Sequence, residues 1–143
     1  MLTEALPPSE ADPAVLFCFA LLHDSRRLND GHDPQHGARA AEFLAELRGE
    51  HVALSDEQAD LLGFALANHT GSGPVGNDNT IGACWDADRL CLWRVGITPD
   101  PAYLSTVAGL DQSVGGWARD ASLKAVEPPS WQALFDAYCR LPG

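Results

Sequence analysis

The stretch AVLFCFALL, residues 14–22, has no polar side for a helix to turn toward water. A helix without a polar stripe must be enclosed by other elements, so this segment is expected at the centre of the core, packed all round. Asp12 followed by Pro13 supplies an N-cap and a first-turn proline, predicting a helix over 14–23. Elsewhere apolar residues recur at three and four rather than at two, which makes the class all-α. Asp33-Pro34 repeats the same start signal for a helix of about 34–48, with His36, Ala40, Phe43, Leu44 and Leu47 on one face and Arg39, Glu42 and Glu46 on the other. Ser55 and Gln58 form a capping box for a helix over 56–69, whose inner stripe of Leu62, Ala65, Leu66 and His69 runs to Gly71. After the loop GSGPVGNDN a helix of about 80–95 stops at Gly96, and shorter pieces follow near 101–108, 113–125 and 130–141. A chain of 143 residues fits one domain, so the expectation is a single helical bundle over 1–143.

Composition removes several functions. The formal net charge of -11 makes the surface acidic, which repels nucleic acid and anionic membrane. No apolar run approaches the ~20 residues of a membrane span, and MLTEALPPSEADP lacks the basic-then-apolar order of a signal peptide, so the expected location is cytoplasmic. Cys18, Cys84, Cys91 and Cys139 form no CxxC pair, and most lie in apolar helical patterns where free thiols act as small buried hydrophobes. Trp85, Trp93, Trp117 and Trp131 fit helix packing. No Gly-rich phosphate loop, Ser-His-Asp set or dinucleotide fingerprint is present.

His23 and Asp24 end the most apolar segment of the chain. Burying ionised groups there is costly unless a cation or a partner compensates, and carboxylate with neutral imidazole suits a divalent manganese, iron, magnesium, cobalt, nickel or zinc ion. Asp88 is the expected third ligand. Positions 86 and 88 lie about 200° apart around a helix, so only one can face the ion. Asp88 shares a side with Ile81, Trp85, Leu92 and Val95, whereas Asp86 falls beside Arg89 on the outer flank. His36 and His69 point inward and are candidates for further metal or substrate contacts, with a capping role as the alternative for His69. Arg26 and Arg27 follow the doublet, and one of them is expected to hold a phosphate bidentately. His32 and His51 lie in polar stretches facing solvent, and Asp30 and Asp33 read as loop or cap residues.

His23-Asp24 after an apolar helix, followed by Asp88 within the string Asp-Ala-Asp-Arg-Leu in an all-helical chain, resembles the HD-domain superfamily of metal-dependent phosphohydrolases. The similarity covers about residues 12–105, with 106–143 as added C-terminal helices. The resemblance implies that His23, Asp24 and Asp88 bind a divalent metal, that Asp24 also orients the attacking water, and that the substrate is a small phosphate ester such as that of a nucleotide. Branches of the superfamily with two metals recruit extra histidines, a role that His36 and His69 would fill; one such branch is a two-iron oxygenase. The superfamily's first His should precede the doublet, and no histidine does so here. Three explanations stand: an upstream helix is lost, another histidine takes the place, or the domain is catalytically silent and binds a ligand or partner instead. A lost helix would impair the enzyme and leave AVLFCFALL bare on one side, predicting a homodimer in which the partner can cover the site or lend it a histidine through its N-terminal segment.

Overall fold

The structure, a computed structural model, describes residues 11–124 and 129–140. The fold is all-α: the described residues form seven α-helices and no strand, with one isolated bridge between Arg48 and Val52. None of these helices is long and apolar enough to cross a membrane.

Four helices build the core: α1 (Pro13–Leu22), α2 (His36–Leu47), α3 (Asp56–Asn68) and α4 (Asn79–Leu90). α3 packs against the other three, and α1 also packs on α4. Asp12 starts α1 as its spacing requires, its carboxylate accepting from the amides of Ala14 and Val15. The same carboxylate accepts from Gln58, and the Asp12 amide donates to Thr80, so one residue ties together the starts of three helices. The capping box of Ser55 and Gln58 is present in both directions. Val15, Phe19, Ala40, Leu44, Leu62, Leu66 and Cys84 meet in one buried cluster, each large side chain contributing on the order of 1.5 to 3 kcal/mol.

Several expectations are corrected. α1 buries Val15, Leu16, Cys18, Phe19 and Leu22, but Ala20 and Leu21 are exposed, so it is not packed all round. The enclosed helix is α4, buried without interruption from Thr80 to Asp86 because the segment around residues 105–109 covers its second face. α2 begins at His36 rather than at Pro34, because the Asp33 carboxylate is taken by the Leu28 amide and Arg39 and caps nothing. α4 ends at Leu90 and tightens into a 3-10 segment, Cys91–Val95, closed by Gly96 in the left-handed region at φ 78. That tightening shifts the register, and Val95 is exposed rather than on the inner side.

The last third divides more finely than its spacing suggests. It comprises a 3-10 turn at Pro101–Tyr103 and the helices α5 (Val107–Leu110), α6 (Gln112–Leu123) and α7 (Trp131–Tyr138). Cys91 and Cys139 are exposed, unlike Cys18 and Cys84. Of the tryptophans only Trp85 is buried, its indole donating to the Ala65 carbonyl; Trp117 and Trp131 are exposed. The N-terminal segment expected to mediate dimerisation, residues 1–10, lies outside the described residues, as do positions 125 and 141 at the ends of the last expected helices.

Candidate metal centre

Three histidines stand at helix ends, and each turns one ring nitrogen onto a nearby main-chain carbonyl. His23 follows the last turn of α1 and its Nδ1 lies 3.1 Å from the Phe19 carbonyl. His69 follows α3 in the same way, with Nδ1 2.8 Å from the Leu66 carbonyl. His36 opens α2, with Nδ1 2.5 Å from the Asp33 carbonyl. A carbonyl can only accept, so in each ring Nδ1 carries the proton and donates, and Nε2 of the neutral ring is left with a lone pair.

The three rings converge. The Nε2 atoms of His36 and His69 are 2.8 Å apart, and Asp24 Oδ1 lies 3.2 Å from the first and 4.0 Å from the second. His23 Nε2 stands 3.5 Å from Asp88 Oδ1 and 3.6 Å from Asp24 Oδ2. Its ring stacks on Phe19 and meets His69 edge-on, with centroids 5.1 and 5.5 Å apart. Asp24, His36 and His69 each offer one ligand atom within 4.8 Å of the others. The five residues singled out in the sequence, His23, Asp24, His36, His69 and Asp88, are thus neighbours on four different segments.

Electrostatics inside the cluster is uneven. Burial disfavours the His23 imidazolium, but the hydrogen bond and charge of Asp88, helped by Asp24, outweigh it and hold the pKa above the ordinary value. Burial also works against the Asp88 carboxylate, and His23 more than compensates, holding that pKa low. His69 shifts the other way, because burial is opposed by little more than the Leu66 carbonyl, and its ring favours the neutral form.

The donor set fits a divalent cation. His36 and His69 bring their Nε2 atoms to 2.8 Å while each Nδ1 lies against a carbonyl, so a cation at their junction would take one lone pair from each ring. Two nitrogens about 2.1 Å from one ion at right angles would lie about 3 Å apart, close to the separation seen here. The carbonyl bond to every Nδ1 is the outer-shell support that fixes tautomer and ring orientation at metal sites. The C-terminal ends of α1 and α3 add their negative dipole ends. Gly37 permits the approach: a Cβ there would collide with the Leu66 carbonyl and stand 3.2 Å from the His69 ring.

Other candidates have different partners. Asp86, expected on the outer flank, is 1% exposed and accepts from the amides of Ser105 and Thr106 and from the Thr106 hydroxyl, pinning the start of α5 to α4. Arg89, expected beside it on the outer flank, donates to the carbonyls of Ser72 and Tyr103. Arg26 lies over the Phe43 ring at 3.8 Å and near Glu46, whereas Arg27 donates from Nε to Asp24 Oδ1 at 3.0 Å. Arg94, which the sequence did not single out, reaches to 3.7 Å from Asp24 Oδ2. His32 and His51 are exposed, as their polar surroundings suggest.

No family model matches the chain, and no curated protein or solved structure is found similar to it, so the chemistry of the cluster is read from these side chains themselves.

Proposed function

We propose that the protein is a metal-dependent phosphohydrolase of the HD-domain kind, acting on a phosphate ester. The observation that carries this reading is the convergence of three imidazole Nε2 atoms, each aimed by an Nδ1 bond to a carbonyl, on the carboxylates of Asp24 and Asp88. His36, His69 and Asp24 would hold the ion, with His23 and Asp88 completing the set or holding a second one. A bound ion would supply charge stabilisation at a phosphoryl oxygen and lower the pKa of a water it holds. Asp24, a third exposed, orients the attacking water and accepts its proton. The water oxygen would form a bond to phosphorus as the P–O ester bond breaks, and the leaving alkoxide would take the proton that Asp24 accepted from the water.

Two carboxylates on one helix give the test. Asp88→Ala should lose bound manganese in elemental analysis after equilibrium dialysis, together with manganese-dependent hydrolysis of p-nitrophenyl phosphate. Asp86→Ala should still bind manganese while folded but be less stable, by on the order of 3 kcal/mol, because the amides of Ser105 and Thr106 lose a buried acceptor. Equal metal content in the two folded variants, or greater loss at position 86, would overturn the assignment.

A second reading has an observation of its own. The two-iron oxygenase branch requires both His36 and His69 as ligands, and both stand in the cluster. Two irons per chain, with dioxygen uptake in place of phosphate release, would select it.

A further inference from the structure

We infer that Arg27 and Arg94 clamp the transferred phosphoryl group, and that the substrate is therefore a dianionic phosphate monoester rather than a diester. This rests on the metal reading above and adds to it the substrate class.

The two guanidiniums come from unrelated parts of the chain: Arg27 from the turn after α1, Arg94 from the 3-10 segment after α4. They approach the two oxygens of one carboxylate, Arg27 Nε at Oδ1 of Asp24 and Arg94 Nη2 at Oδ2, 3.0 and 3.7 Å away. Neither is used up there. Arg27 spends only Nε and keeps both terminal nitrogens, and Arg94 stands beyond hydrogen-bond range of its partner while more than half exposed. Arg39 and Arg48, in contrast, place a terminal nitrogen directly on their carboxylates. In a chain with only nine Lys and Arg against twenty Asp and Glu, two guanidiniums gathered on one carboxylate of the candidate metal centre leave donors over for a second anion.

Charge fixes its class. With one divalent ion set against the carboxylates of Asp24 and Asp88, and His23 a neutral ligand to it, the two guanidiniums stand as a surplus of two positive charges. A phosphate monoester near neutral pH carries nearly two negative charges, its second ionisation lying near pH 6, and presents three terminal oxygens. A diester carries one charge and two such oxygens, and would leave one guanidinium without a counter-charge. Arg27 also borders a cavity of about 330 Å³ lined by Arg26, Arg39 and Phe43, where the alcohol part of the ester can extend.

Inorganic phosphate is the probe. Titrated calorimetrically into protein dialysed with manganese, it should bind with Arg27→Gln and Arg94→Gln each weakening it roughly tenfold or more, while manganese stoichiometry and the circular dichroism spectrum stay unchanged. Arg48→Gln, which removes a guanidinium paired elsewhere with Asp56, should leave the affinity unchanged. In turnover the two clamp variants should raise KM for p-nitrophenyl phosphate, and bis(p-nitrophenyl) phosphate should be the poorer substrate. If manganese binds but phosphate affinity ignores both arginines, or if the diester is hydrolysed faster, the clamp is wrong and the metal reading stands. A chain that takes up no manganese overturns the metal reading itself, before phosphate is added.

Discussion

Gly37 sits where α2 passes closest to the end of α3, one residue after His36 and against the Leu66 carbonyl that orients His69. Gly37→Ala should force the two helices apart at that point. An overpacked contact costs about 1–3 kcal/mol, and here the displacement falls on the 2.8 Å junction of two candidate ligands. The variant should remain helical with a lowered melting temperature and bind manganese more weakly than the wild type. Thermal denaturation and equilibrium dialysis measure both, and unchanged metal affinity in a folded variant would contradict the role given to this contact. The five side chains of the cluster were legible in the sequence because each stands at a helix end or on an inner stripe, positions that caps and periodicity mark. Two other residues were not. Asp86 looks peripheral until the Ser105–Gly109 segment is seen to cover its face, a tertiary fact without a local signal. Arg94 reaches Asp24 only because the helix tightens after Leu90.

Elements announce their starts through caps, and the accuracy of that signal depends on what else competes for the capping side chain. Asp12 and Ser55 cap as their spacing says, whereas Asp33 is drawn off by Arg39 and by the Leu28 amide, so α2 starts late and His36, not a capping acid, opens it. The Arg39 hydrogen bond first, then that of Leu28, hold the Asp33 carboxyl below its ordinary value of 3.8. A depressed folded pKa contributes stability that is fully present above the unfolded value and is lost as pH falls through the folded one. Protection of the Leu28 amide against hydrogen exchange, corrected for intrinsic rate, should therefore persist below pH 3.8 and then collapse, and Asp33→Asn should abolish that step. Loss of protection above the ordinary carboxyl value would contradict the pairing. Misreading α1 and α4 had another cause: composition put the enclosed helix where the chain is most apolar, but enclosure is decided by neighbours, and α4 has them on both faces.

At the scale of the whole molecule, acidity opposes association and exposed apolar surface favours it. Trp131 is 70% exposed and Phe135 62%, one turn apart on the same side of α7. Patches of this kind are ordinarily covered by a partner, and each large apolar side chain buried contributes on the order of 1.5 to 3 kcal/mol. Repulsion arising from the net charge of -11 is screened beyond about 8 Å at physiological salt. We expect a homodimer at micromolar concentration that tightens as salt is raised, measured by sedimentation equilibrium. A monomer at every ionic strength would show that this surface tolerates water.

Asp12 joins α1 to residues 46 and 68 positions further along the chain, through Gln58 and Thr80. Fraying of α1 from its start therefore breaks more than its own cap, because the contacts of Asp12 to Gln58 and Thr80 are lost with it. An opening that carried α1 away would take His23 and Asp24 together and leave His36 and His69 in place on α2 and α3. The half-opened protein thus keeps a two-histidine remnant of its centre and regains the whole of it in a single docking event.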